Sequence, residues 1–208
     1  IINEIFNGLI KRSNYYKRKK NIIKFNKKKY HLKKGICITP VKFGISFTTT
    51  HLNQGGALVH VYTDGSVHLN HGGIEMGQGL MTKISQIASN EFGIPIKEIK
   101  ITSTDTEKVP NTSASAASAS TDINGGAVID AIKKIKNNLE KFINKEFNYK
   151  GKKIIYKNNK VYFGNKNIKF GELISKAYLK RISLSSSGFF KTPKIYFDKK
   201  NFKGRPFL

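Results

Sequence analysis

Two stretches carry most of the chemistry legible in this chain. Residues 71–80 read HGGIEMGQGL, with four glycines in ten positions, and residues 111–120 read NTSASAASAS. The first is glycine-rich and the second is built almost wholly from Ser, Ala and Thr, and each stands before a helix-like segment. Backbone N–H groups at a helix start lack intrahelical partners, so loops of this kind can hold phosphates and other anions. Gln78 adds a side-chain amide that can both donate and accept. One glycine turn is common for steric reasons alone; two such loops point to a polar, phosphate-bearing ligand larger than a single phosphate. The spacing is not G-x-x-x-x-G-K-[ST], because Thr82-Lys83 falls out of register with Gly77 and Gly79. Nor is it G-x-G-x-x-G, because Thr82 stands where the third glycine is required.

The elements that must position these loops follow from periodicity. Residues 35–48, GICITPVKFGISFT, alternate apolar with small or polar residues and predict one or two strands. GALVHVYTDGSVHLNHGG predicts a hairpin through Asp64-Gly65, a pair suited to a tight primed turn. Leu80, Ile84, Ile87, Ala88 and Phe92 recur at helical spacing, with Gly93 and Pro95 as stop signals. A strand, IKITST, precedes the second loop. The helix after that loop has Val128, Ala131, Ile132, Ile135, Leu139 and Phe142 on one face. IIYKNNKVYF predicts another hairpin, FGELISKAYLK a short helix and ISLSSSGFFK a strand. Helices and strands interleave without a regular βαβ repeat, so the expected class is α+β, with mixed sheets, hairpins and packed helices. The expected organisation is a basic arm or connecting helix over residues 1–34 and one larger domain over residues 35–208.

Composition limits the function classes. With 208 residues, 38% of them hydrophobic, the chain can bury a core. The net charge of +25 invites a nucleic-acid reading. Its distribution opposes that reading: residues 51–130 hold four lysines and no arginine against eight acidic residues. Only Arg12, Arg18, Arg181 and Arg205 supply the planar fork that base and phosphate recognition favours. Lysine, asparagine and isoleucine, all with A/T-rich codons, are abundant together, and drift of surface positions accounts for the charge without a polyanionic partner. Cys37 is the single cysteine, so no disulfide framework, zinc knuckle or iron–sulfur ligand set is present. His60, His68 and His71 lie near one another in strand segments and are assigned no catalytic role. No apolar run approaches the ~20 residues that span a bilayer, and the first residues lack signal-peptide order, so the cytoplasm is the expected location. The chain begins at Ile1 rather than Met and ends at Leu208 without a closing signal; it is expected to be a piece of a longer chain.

The segments KFGISF, LNQGGALVHVYTDGSVHLNHGGIEMGQGL, VPNTSASAAS, DINGGAV and SLSSSGFFKTP resemble, in order and spacing, the molybdenum-binding part of the xanthine dehydrogenase family. The resemblance runs from KRSNYYKRKKNIIKFN to TPKIYFDKKNFKGRPF and is loose from about Lys133 to Lys169. The ending looks most like the bacterial members whose molybdenum subunit is a separate polypeptide. The aldehyde oxidase branch, a non-functional gene remnant and a lysine-rich nucleic-acid binder stand as alternatives.

The resemblance implies a C-terminal molybdopterin-binding domain. In it, Gly77, Gln78 and Gly79 lie against a molybdenum–molybdopterin cofactor whose nucleotide form is open. Ala116, Ala117, Ser118 and Ser120 wrap its phosphate or pterin end, with Ala117 contributing only backbone proximity to the molybdenum. It also implies that Phe47 packs on a purine and that Thr48 sits beside it in the substrate pocket. The metal is held by the pterin dithiolene, so no side-chain metal ligand is implied. The implied activity is hydroxylation of hypoxanthine and xanthine toward uric acid with water as the oxygen source. A glutamate acts as general base there; it is expected beyond Leu208, so no catalytic residue is assigned within this chain, and Glu75 matches a loop residue instead. FAD and 2Fe–2S clusters are implied on partner subunits or domains, within a dimer of heterodimers, with NAD as the implied acceptor. Residues 1–208 alone are expected not to oxidise xanthine.

Overall fold

The computed structural model describes residues 1–28, 31–41, 44–108, 111–151 and 153–206. Lys42-Phe43, in the predicted first strand, and Val109-Pro110, leading into the second loop, lie outside these residues, as do Tyr30 and Leu208. The chain divides into two compact units, Ile1–Phe43 and Gly44–Leu208.

The first unit is a helix pair. Helix α1, Ile2–Arg12, and helix α2, Tyr15–Lys28, meet at Ser13-Asn14, where Asn14 takes a positive φ of 50°. Neither helix buries a side chain fully. The segment after α2 turns back onto it: the Asn26 amide donates to the Lys34 carbonyl and accepts from the Lys34 N–H, and the Lys34 ammonium lies 4.3 Å from the Phe25 ring centroid.

The second unit is built on a four-stranded sheet of order β3-β2-β1-β7. Strand β1, Gln54–Val61, pairs antiparallel with β2, Val67–His71, and with β7, Ser185–Lys191. Strand β3, Ile99–Ile101, runs parallel to β2, and helix α3, Leu80–Phe92, makes the crossover between them. Helix α4, Ser120–Glu146, packs on β1, β7 and α3. Leu80, Ile84, Ala88 and Phe92 of α3 are buried, as are all six α4 positions expected from the periodicity. This apolar layer of helices against sheet supplies most of the unit's stability by removing aliphatic surface from water.

Helix α4 crosses β7 so closely that a side chain at Gly188 would overlap the Ala127 carbonyl oxygen. Backbone cannot retreat as a flexible side chain can, so Gly188→Ala is expected to destabilise the unit by about 3 kcal/mol. A fall in the thermal midpoint measures it; an unchanged midpoint would show that the helix can shift at no cost.

A second sheet, β4-β5-β6, comprises Ile154–Lys157, Lys160–Phe163 and Lys166–Lys169, followed by helix α5, Phe170–Leu179. The predicted second hairpin is present, its turn formed by Asn158 and Asn159 at φ 52° and 58°. Phe92 and Phe170, with ring centroids 5.4 Å apart, join this sheet's core to that of the first. A short hairpin of β8, Tyr196–Asp198, and β9, Lys203–Arg205, follows. Among the described residues, two larger sheets and one two-stranded sheet with helices packed against them make the fold α+β.

Two local expectations are corrected. The described residues of 35–48 form no strand beyond one bridge residue, Ile45. Pro40 lacks an N–H to pair, and the Phe47 backbone is held instead by a side chain: Asn53 Oδ1 accepts from Phe47 N at 2.7 Å and Asn53 Nδ2 donates to Phe47 O at 3.0 Å. The first hairpin's turn is longer than the tight primed type. Val61 and Val67 are the last pair, Gly65 alone has positive φ (89°), and Asp64 accepts from Ser66 N and Ser66 Oγ in an Asx turn.

Candidate functional site

Strand β2 ends at His71, and residues 72–79 carry the chain to α3. Gly77 and Gly79 have φ of 98° and 75°, a region L side chains rarely adopt, and a side chain at either would meet open space. Their need for glycine is therefore conformational. Ser118 and Ala117, in the second loop, also take positive φ (55° and 53°) without being glycine. Two consecutive left-handed residues cost of order 1–2 kcal/mol each and persist only where the surroundings enforce them.

Here the Ala119 N–H donates to the Ala116 carbonyl at 3.2 Å and closes the turn that Ala117 and Ser118 form, and polar ties hold the loops to their neighbours. Ile74 N donates to Ser115 Oγ at 2.7 Å, joining the first loop to the second. Ser113 Oγ donates to Gln54 O at 2.9 Å, tying the second loop to the start of β1. Thr104 Oγ1 donates to Gly73 O at 2.7 Å from the segment after β3. Below the first loop, buried His71 accepts the Gly73 N–H on Nδ1 at 3.1 Å. That bond places the imidazole proton on Nε2, which has no partner among the described residues. Burial pushes the His71 pKa down to about 4.

Between the loops lies a cleft of about 330 Å³. Met76, Gln78 and Lys83 line one side, and Ser115, Ala116, Ser118, Ser120 and Thr121 the other. The structure thus brings together Gln78, Ala116, Ser118 and Ser120 of the expected cofactor residues. Gly77, Gly79 and Ala117 shape the backbone around the cleft without lining it. Phe47 and Thr48 are not among its lining residues; Phe47 is half-buried and Thr48 exposed.

The first loop differs from the expected row of free donors. Glu75 Oε1 accepts from Gly77 N and Gly79 N, both at 2.9 Å, and Oε2 accepts from Met81 N at 3.0 Å. The Met81 N–H first, then those of Gly79 and Gly77, hold the Glu75 carboxyl below its ordinary range. Gln78 also works inside the loop, with Nε2 donating to Ile74 O at 2.8 Å and Oε1 accepting from Met76 N at 2.6 Å. Sequence reading missed Lys83, which brings a cation to the cleft one helical turn beyond Gly79. The signal was present in that spacing, because residues four apart share a helix face. It also missed Asn53, whose anchoring of Phe47 depends on a fold that places the two backbones side by side.

A cleft between two loops that each lead into a helix is a place where a domain can hold an anionic ligand. The sequence model of the molybdopterin cofactor-binding domain matches residues 9–208, and the chain belongs to that family. It is 49% identical over 195 residues to the xanthine dehydrogenase/oxidase of Gallus gallus, covering 94% of this chain and 13% of that protein. It is 43% identical over 206 residues to the xanthine dehydrogenase of Oryza sativa subsp. japonica, covering 99% of this chain and 14% of that one. The chain therefore spans about one seventh of the length of these relatives. Both are eukaryotic proteins, and their identities carry no argument for the bacterial separate-subunit form.

Among solved structures, the chain is similar to quinoline 2-oxidoreductase from Pseudomonas putida 86. That match has a TM-score of 0.63 and 17% identity and covers 74% of this chain and 22% of that one. The CO dehydrogenase from Oligotropha carboxidovorans matches with a TM-score of 0.61 and 23% identity, covering 67% and 18%. These two likenesses concern the fold.

Proposed function

We propose that this chain forms one wall of the molybdopterin site of a xanthine dehydrogenase-type enzyme, which hydroxylates hypoxanthine and xanthine toward uric acid with water as the oxygen source. The observation that carries this reading is the cleft itself, where Gln78, Ala116, Ser118 and Ser120 converge from two loops that are distant in sequence. When bound, the molybdenum cofactor supplies the oxidative hydroxylation chemistry.

The residues present fit such a group. The Lys83 ammonium, the hydroxyls of Ser118, Ser120 and Thr121 and the Gln78 amide form a donor set for an anionic, polar ligand. Small side chains at Ala116 and Ala117 let a bulky ring system approach the backbone. Among the described residues no three of His, Cys, Asp and Glu cluster to hold a metal, so a metal at this site brings its own ligands. In this reading Gln78 exchanges its bonds to Ile74 and Met76 for bonds to the cofactor, and Ala117 borders the metal by its backbone alone.

Among the described residues neither Asp nor Glu lines the cleft. The general base belongs, on this proposal, to a glutamate outside residues 1–208, and Phe47 and Thr48 contribute to the purine pocket once that part is in place. FAD and 2Fe–2S clusters sit on partner domains or subunits, and the assembly is a cytoplasmic dimer of heterodimers. No helix among the described residues is long and apolar enough to cross a membrane.

The test is Gln78→Ala in the complete protein that carries these residues. Loss of one or two polar contacts is expected to weaken cofactor affinity about tenfold, so that with limiting cofactor molybdenum occupancy and xanthine oxidation fall in proportion. Unchanged metal content, pterin content and xanthine oxidation would remove Gln78 from the site and overturn the reading of the cleft.

A further inference from the structure

We propose that Glu75 is a positioning residue whose carboxylate acts as a built-in anion at the start of α3, clamping the glycine loop around Gln78 and closing these amides to outside anions. The proposal rests on the cleft being an anion site and deepens that reading by assigning the ligand's negative charge to side-chain donors rather than to the amides at the start of α3.

Three observations support it. First, two carboxylate oxygens satisfy three backbone donors, those of Gly77, Gly79 and Met81. The first two flank Gln78, so one oxygen fixes the backbone on both sides of the side chain that lines the cleft. Second, the N-cap of α3, Gly79, has no side chain to cap the helix, and Glu75 takes that place from four residues upstream. Third, no lysine or arginine pairs with Glu75 among the described residues; its charge is met by amides at the positive end of the helix dipole.

The consequence for binding is electrostatic. A phosphate approaching the α3 amides meets a carboxylate already seated there, tethered by the same loop and so present at high effective concentration. A phosphate approaching Lys83 meets a cation with Ser118, Ser120 and Thr121 beside it. Glu75 thus divides the donors around the cleft: the Gly77, Gly79 and Met81 amides are already satisfied, and the side chains of Lys83, Ser118, Ser120 and Thr121 are left to meet the ligand's charge.

Two measurements on the complete protein, freed of cofactor, test this. In a Lys83→Gln background, adding Glu75→Gln is expected to create inorganic phosphate binding about tenfold tighter than in Lys83→Gln alone, read by calorimetry. Glu75→Asp, which keeps the charge, is expected to create none. A purely structural role would loosen the loop in both variants without a gain in phosphate affinity, and that result overturns the proposal. The second measurement needs no variant: hydrogen exchange in the wild-type protein is expected to show the amides of Gly77, Gly79 and Met81 protected before any ligand is added. Exchange at the rate of an unprotected loop overturns the proposal, whether or not the variants fold. Neither measurement reads molybdenum, so a failure of the molybdopterin reading and a failure of this one are separable.

Discussion

Lys83→Glu is expected to lower molybdenum occupancy of the complete protein about a hundredfold when cofactor is supplied well below its dissociation constant, so that occupancy follows affinity. A charge-assisted hydrogen bond contributes on the order of 1.5–3 kcal/mol, and about 1.4 kcal/mol is a factor of ten. Lys83→Gln, which only removes the cation, therefore falls about tenfold. The glutamate adds a like charge facing the same anion, which accounts for the further decade. Lys83 lies one turn into α3, where it lines the same cleft as Ser118, Ser120 and Thr121. Lys97→Glu is the control: the Lys97 side chain is 79% exposed, it does not line the cleft, and its reversal should leave occupancy unchanged. Metal analysis of the three purified variants decides the matter. Full occupancy in Lys83→Glu would place the anion elsewhere and remove this lysine from the site.

The second large effect concerns pH. His71 in the unfolded chain titrates near 6.5, and burial holds it near 4 in the folded protein. Between these values the unfolded state binds a proton that the native state does not, so stability falls as pH drops from 6.5 toward 4 and the loss levels off below 4. At about 1.4 kcal/mol per pH unit, the loss approaches about 3 kcal/mol. Asp64, Glu75, Asp105 and Asp198 are also held below their ordinary range by hydrogen bonds, so acid weakens the fold through them as well.

The difference between wild type and His71→Gln isolates the histidine. Gln lacks the titration, so the stability gap between the two is constant above pH 7 and shrinks by about 3 kcal/mol by pH 4. Urea unfolding midpoints at pH 7.5 and 4.5 measure it. A gap independent of pH would mean that His71 charges in place. Protonation also removes the Nδ1 lone pair that accepts the Gly73 N–H, so the base of the first loop is where acid acts.

Elements that depend on neighbours in sequence were legible. Leu80, Ile84, Ala88 and Phe92 show a buried helix face by spacing alone, because a 3.6-residue period is a local property. The hairpin expected from IIYKNNKVYF formed, and its turn falls on Asn158-Asn159 because asparagine tolerates positive φ. The segment around Ile45 did not become a strand, although it alternates as well as β1 does, because a strand needs a partner. The Asn53 side chain occupies the backbone of Phe47 in that role. Strand β6 was missed for the opposite reason: Lys166, Asn167 and Lys169 hide the single buried residue, Ile168, that holds it down.

By itself, then, the sequence determined the α+β class, the helix faces, the two small-residue loops and their resemblance to a molybdopterin domain. Those properties reside in composition, period and motif order. The tertiary structure alone decided which of the loop residues share a cleft, that Lys83 faces it, and that Glu75 rather than a ligand satisfies the amides of Gly77, Gly79 and Met81. Each of these depends on distances between groups in different turns or on φ values at single residues, and a linear pattern encodes neither. The glycines of HGGIEMGQGL announce that the backbone bends; the fold decides what the bend holds.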